Sequence, residues 1–307
     1  MRPKFDVLAL GAVAVDDLFY IDSYPAPDEK MPILRRQRQC GGMSAIAAIA
    51  ASRLGCRTAY GGVLGRDELS EFAIGQMRRE GVNLRHLAQR DGVRPVHSII
   101  MIDSKTGTRN IFYDLQGVLG AARDWPAEEV IRSTRVLFVD WYSISGMIRA
   151  ARLARAAGIP VVADFEQDGL PGFATLLALA DHLILSQGFA AKLTGLSDPR
   201  RAVVRLWTGQ QELAAVTCGA KGCYYVTSDK PGVPRHQPAF KVQAVDTTGC
   251  GDVFHGAYAA ALARGMSAPD RIRFAAAAAA LKATQSGGAQ GGIPTLAQTL
   301  RLIRQTS

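Results

Sequence analysis

Short apolar runs alternate with alanine-rich or amphipathic stretches along most of this chain, and that alternation limits the fold more than any single motif. Strand-like segments at 136–139, 161–164, 183–185 and 213–217 are separated by helix-like ones at 146–157 and 173–180. Nearer the start, strands over 5–13 and 58–63 are interleaved with helices over 43–54 and about 67–80. A strand, helix, strand order predicts a mostly parallel central sheet with helices on both faces, a three-layer α/β/α sandwich. Four short strands break the rhythm, at 18–21, 33–37, 96–102 and 109–113. The turn formers Pro25, Ala26, Pro27 and Asp28 separate the first two, and a turn over 103–107 joins the last two. These segments are expected to pair into a small β-sheet lid, built from insertions at about 17–38 and 95–114. No linker or repeat divides the chain, so residues 1–307 are expected to form one domain. Ligands of open α/β sheets bind beyond the carboxyl ends of the strands, and the lid would cover that region.

Composition excludes several classes. With 48% apolar residues among 307, the chain can bury a full core. Its net charge is +9, but Arg35, Arg36, Arg38, Arg200 and Arg201 are scattered and are not interleaved with aromatics. Nucleic-acid binding is therefore not expected. The five cysteines Cys40, Cys56, Cys218, Cys223 and Cys250 form no C-x-x-C pair. That pattern fits reduced thiols in a cytoplasmic protein rather than a disulfide framework or zinc site. The apolar run over 7–15 is too short to span a bilayer and lacks a signal-peptide cleavage pattern, so no membrane partner is expected.

Chemistry concentrates between Asp246 and Gly256, in the run Asp246-Thr247-Thr248-Gly249-Cys250-Gly251-Asp252. Gly249 and Gly251 leave the backbone bare, so its N–H groups can approach an anion. A helix predicted over 253–263 adds partial positive charge at its N-terminus. Asp252 stands at the junction, where a carboxylate can take a proton from a hydroxyl beside a bound phosphate. Together these suggest phosphoryl transfer to an alcohol. From the same residues alone, Asp252 could equally be a helix N-cap. The chain has no G-x-x-x-x-G-K-[ST] loop. Gly249-x-Gly251 is followed by Phe254 where a dinucleotide fingerprint needs its third glycine.

Gly41-Gly42 ahead of an alanine-rich helix, together with the late glycine-aspartate run, resembles the two signatures of the ribokinase-like (PfkB) carbohydrate kinases. The resemblance covers essentially the whole chain. It includes Gly11 with Asp16 five residues on, and Val216-Thr217-Cys218-Gly219-Ala220-Lys221-Gly222. It implies that Asp252 is the catalytic base and that the backbone of Gly249, Cys250 and Gly251 is the anion hole. It implies that Asp16, Gly41 and Gly42 contact the sugar. Thr217, Gly219 and Gly222, with Ser186, fall at the nucleotide-binding turn, although from the residues alone 217–222 reads equally as a hairpin turn. ATP with Mg2+ is the implied phosphate source. Asp246 and Thr248 fall where some members bind a monovalent cation such as K+, with 287–291 as the opposing loop.

Three departures stand out. Many members carry Asn where this chain has Ile46, which can donate nothing to a sugar. The N-x-x-E signature is replaced by Ser186-Gln187-Gly188-Phe189, leaving Asp164 and Glu166 as carboxylate candidates for handling Mg2+ through water. The run from His236 through Asp246 to Gly256, including His255, looks most like a subgroup that includes 6-deoxy-6-sulfofructose kinases. Lys30 matches a lysine at the anionic end of that substrate, but Tyr142 stands where that enzyme has an arginine.

The expected activity is therefore ATP-dependent phosphorylation of a sugar or sugar derivative. A nucleoside kinase of the same fold, or a sugar- or nucleotide-sensing binder, are the alternatives. A homodimer paired through the lid is expected, because Phe19, Ile33, Ile100 and Phe112 are more apolar than a wet face would want.

Overall fold

The computed structural model describes residues 3–286 and 290–306. A central sheet of eight strands runs in the order Lys230–Gln237, Cys223–Thr227, Leu213–Thr217, His182–Ser186, Val161–Asp164, Thr134–Val139, Phe5–Leu10 and Thr58–Tyr60. Neighbours pair parallel from Thr58–Tyr60 across to Leu213–Thr217, and the last two strands close that edge antiparallel. The parallel strands are apolar on both faces because both faces are covered. In Phe5–Leu10, for example, Val7, Leu8, Ala9 and Leu10 are all buried.

Two apolar cores result, one per face. Helices Met43–Arg53, Glu68–Arg79, Cys250–Ala263 and Ala268–Ala283 build the first, and Ile144–Ala156, Phe173–Ala178, Gln187–Thr194 and Pro199–Leu206 build the second. Met43–Arg53 is buried all round from Met43 to Ala51. Its small side chains let Cys250–Ala263 lie against it, and Gly256 meets the backbone of Ala47 directly, with no room for a Cβ. Helix starts follow their local signals. Asp67 accepts hydrogen bonds from the Leu69 and Ser70 amides, and Thr295 and Gln298 form a capping box. Among the described residues no helix is long and apolar enough to cross a membrane.

A second sheet of four strands stands apart, ordered Arg35–Gly41, Ala14–Ile21, Val96–Asp103 and Arg109–Asp114. The single strand expected over 5–13 is in fact broken. It ends at Leu10, and the chain turns at Gly11 and enters the small sheet at Ala14. The cause is Asp140, at the end of Thr134–Val139. Its carboxylate fills the space where Gly11 would carry a Cβ and accepts the Ala12 amide at 2.6 Å and the Tyr142 amide at 2.9 Å. The first inserted segment is longer than expected, 14–41 rather than 17–38, because pairing with Val96–Asp103 and Gly41 draws Ala14, Val15 and Asp16 into the sheet, while the second matches its expected bounds.

Candidate active site

The carboxyl ends of the parallel strands gather the candidate residues. Strand register puts Asp164 beside Ile184, and Ser186 beside Thr217. Ser186 caps helix Gln187–Thr194, its Oγ accepting the Phe189 amide at 3.2 Å. Thr217 Oγ1 bonds the Leu185 carbonyl at 3.3 Å. The turn after Thr217 is a 3-10 turn, Gly219–Lys221, inside an antiparallel hairpin, and Gly222 packs against the Gln237 carbonyl.

The glycine-aspartate run enters helix Cys250–Ala263, which begins a turn earlier than the sequence suggested. Gly249 is the N-cap in the left-handed region, φ 75°, and supplies no side-chain cap. Asp252 is therefore not the N-cap but the third residue of the helix, within its first turn. An uncapped helix start of this kind turns its N–H groups and the dipole's positive end toward any anion placed there. Asp252 is half-buried. Desolvation first, and then the charges of Asp164 and Glu166, raise its pKa to about 7.

His255, one turn on, explains how this start is anchored. Its Nε2 lies 2.9 Å from the Ile184 carbonyl, and its Nδ1 lies 2.9 Å from the Gly251 carbonyl and 3.2 Å from Asp164 Oδ2. Burial lowers the His255 pKa and raises that of Asp164 well above the carboxylate range. Both ring nitrogens face carbonyl oxygens, so a ring N–H donates to Ile184 or to Gly251, with the Asp164 carboxyl close beside Nδ1. The helix start is thereby fastened to the edge of the sheet.

The small sheet contributes the other half. Asp16 is 8% exposed, and Gly41 lies so close that a Cβ there would fall 2.5 Å from Asp16 Oδ2. One rung runs across the sheet through Gln39, Asp16, Ser98 and Tyr113, all on one face. Burial raises the Asp16 pKa, and Ser98 and Gln39 partly offset this by hydrogen bonding. The Gln39 amide, 3% exposed, has neither its nitrogen nor its oxygen in a well-formed hydrogen bond among the described residues. A buried amide in that state is poised for a ligand's hydroxyls. Sequence reading missed Gln39 and Ser98; the signal was two-residue spacing, since Gln39 shares a face with Gly41.

Asp17 points to the opposite face. It is held by Arg38 at 2.6 Å and His97 at 2.8 Å, with Arg38 drawing its pKa down. Lys30 is exposed in the connection after Ile21, and no contact ties it to Asp16 or Asp252 among the described residues. Ile46 is completely buried in the core, so packing accounts for its side chain. Asp246 Oδ1 accepts the Thr248 amide at 2.9 Å, and Thr248 Oγ1 takes a hydrogen bond from Arg109 of the small sheet. Arg109 escaped the sequence reading altogether. Of the expected opposing loop, residues 287–289 lie outside the described residues.

For Mg2+, no cluster of three or more His, Cys, Asp or Glu that could hold a metal occurs among the described residues. Burial first, and neighbouring negative charge second, raise the pKa values of Asp164 and Asp252, and such an ion would relieve the second of these.

A small sheet beside a doubly covered parallel sheet, with an open helix start and a near-neutral carboxyl between them, suits a phosphotransferase acting on an alcohol. The sequence profile of the pfkB family carbohydrate kinases matches residues 5–296. The chain is 28% identical to a ribokinase of Haemophilus influenzae, over 99% of both chains. It is 29% identical to fructokinase-1 of Zea mays, over 86% of this chain and 88% of the other. Its structure superposes on the ribokinase of Arabidopsis thaliana, solved with ribose and ATP, with a TM-score of 0.86, 25% identity and 99% coverage of both chains. The protein belongs to the pfkB family of carbohydrate kinases. It is a sugar kinase of that family, a phosphotransferase with an alcohol group as acceptor.

Proposed function

We propose that this enzyme transfers the γ-phosphoryl group of ATP to a hydroxyl of a sugar or sugar derivative, with Asp252 as general base. The observation that carries this reading is Asp252 itself, a half-buried carboxyl with a pKa of about 7 in the first turn of an uncapped helix. A base near neutrality can accept the hydroxyl proton as the bond to phosphorus forms. The backbone of Gly249, Cys250 and Gly251 lines the anion hole, where N–H groups meet the transferring phosphoryl oxygens. Asp16, with Gln39 and Ser98 beside it and Gly41 and Gly42 giving close approach, holds the sugar hydroxyls. Thr217, Gly219, Gly222 and Ser186 border the nucleotide. Asp164 and Glu166 would hold Mg2+ through water, and the ion supplies charge neutralisation on the phosphates.

The small sheet serves as a lid on one domain spanning 1–307. The Arg109 to Thr248 hydrogen bond supports this, since it joins the small sheet to the anion-hole loop. Five free cysteines, three of them buried, suit a reducing compartment, and we assign the enzyme to the cytoplasm.

The test is an ADP-release screen with ATP and Mg2+ over free sugars, anionic sugar derivatives including 6-deoxy-6-sulfofructose, and nucleosides. A sugar or sugar derivative should stimulate ADP release by about 100-fold over water, the scale of positioned general-base catalysis. Stimulation by nucleosides alone would make this a nucleoside kinase. Binding of sugar or nucleotide without turnover would make it a sensor.

A further inference from the structure

Lys282 lies in the last turn of helix Ala268–Ala283, completely buried, and its Nζ has no hydrogen-bond partner among the described residues. An ammonium is rarely buried in this way without a charge to answer. The groups whose charge acts on it are Asp246, Cys250 and Asp252, from the glycine-aspartate loop and the helix it opens. The next residue, Ala283, uses its carbonyl to bond the Val245 and Asp246 amides, at 2.7 and 3.1 Å. The backbone next to the lysine is therefore bonded to the start of the loop. Burial pulls the lysine's pKa down, and the two carboxylates pull it back up.

The monovalent cation that the family resemblance attached to Asp246 and Thr248 does not fit this arrangement. Thr248 Oγ1 already receives the Arg109 guanidinium, and Asp246 already lies under the field of the Lys282 ammonium. A further cation between them would meet two positive charges.

We infer that Lys282 is a built-in cation: its ammonium supplies, behind the anion-hole loop, the positive charge a monovalent ion would otherwise supply, so the enzyme works without K+. The inference deepens the kinase reading and rests on it. Lys282 is a positioning residue, acting through Asp246 and the loop rather than touching the reacting atoms. A charge fixed by the helix involves no ion-binding equilibrium.

Two measurements on the full-length protein test it. The first is thermal melting in KCl against tetramethylammonium chloride at equal ionic strength, which requires neither sugar nor ATP. A K+ site present only in the folded state would raise the melting temperature with KCl. The wild type should show no K+-specific rise, and Lys282→Met should show one. The second is turnover with any sugar found to be accepted. The wild type should change less than about twofold between the two salts. Lys282→Met should lose about tenfold or more in tetramethylammonium chloride and recover several-fold in KCl. A purely structural role would give no recovery by K+. A wild-type protein stabilised or activated by K+ overturns the inference and leaves the kinase reading standing. So does a Lys282→Met variant with full turnover in tetramethylammonium chloride. If the variant does not fold, the wild-type salt comparison still decides. If no sugar is phosphorylated, the kinase reading fails and melting alone decides the role of Lys282.

Discussion

Asp252 carries two opposed requirements. Its burial disfavours the carboxylate, yet the proposed chemistry needs that carboxylate as a base. Because its folded-state pKa is raised, folding binds a proton to it more tightly than the unfolded chain does, so its ionisation erodes stability as pH rises from about 4 to about 7. Asp252→Asn is therefore expected to lower turnover by about 100-fold or more while leaving nucleotide affinity intact. At pH 8 it should also raise the melting temperature by about 2–5 °C. Calorimetry and kinetics on the same preparation check both halves, and a variant that is less stable but keeps near-wild-type turnover would make Asp252 a structural residue of the helix's first turn rather than a base. For the wild type, kcat/KM should fall about tenfold per unit below pH 7. Asp16 and Asp17 make a second contrast. Asp16→Asn should raise the sugar KM by about 10- to 100-fold, the cost of about 1–3 kcal/mol for an unmet hydroxyl. Asp17→Asn loses only the partly exposed pair with Arg38 and His97 and should change KM by less than about threefold. A larger effect at Asp17 would mean that the sugar lies on the other face of the small sheet.

At the scale of elements, the anion-hole helix depends on two contacts that hold it against its neighbours. Gly256 lies on the Ala47 backbone of helix Met43–Arg53, where a methyl group has no space. Gly256→Ala should cost about 1–3 kcal/mol in urea unfolding as the helices separate. It should also lower turnover, because Gly249 and Asp252 ride on the same helix. His255 is the second contact. Replacing it with leucine leaves the Ile184 carbonyl and the Asp164 carboxyl unmet and should cost about 2–4 kcal/mol. Unfolding curves unchanged within about 0.5 kcal/mol for both variants would show that the helix start is held by other means.

Among the described residues, most of the exposed large apolar side chains lie on or beside the small sheet. On its outer face Ile99 is 41% and Phe112 59% exposed, with Phe19 and Met101 beside them. Ile33 is also exposed, but Ile100 points inward and is buried, which corrects its expected place on an outer face. Such a patch on a four-stranded sheet with two edges invites pairing about a two-fold axis. We expect light scattering at micromolar concentration to give about twice the 32.9 kDa chain mass. Phe112→Glu should return it to a monomer. A wild-type mass equal to one chain would mean that the outer face is simply wet, and a dimeric variant would move the interface elsewhere.

Local regularities were legible in the sequence. Alternating strand and helix periods announced the parallel sheet, because burial on two faces demands continuous apolar runs. Gly249, Gly251 and Asp252 announced an open helix start, because backbone conformation and capping are settled within a few residues. What the sequence could not disclose is which distant groups share a space. Asp16 meets Ser98 and Gln39 only because three strands align in one register. Gly11 breaks its strand because Asp140 arrives from another part of the chain. His255 finds Ile184 and Asp164, and the helix end that carries Lys282 meets the Asp246 backbone, only once helix and sheet have packed. Periodicity and turn chemistry are properties of neighbours along the chain. Charge environment and hydrogen-bond satisfaction in a buried site are properties of neighbours in space, and tertiary packing alone selects them.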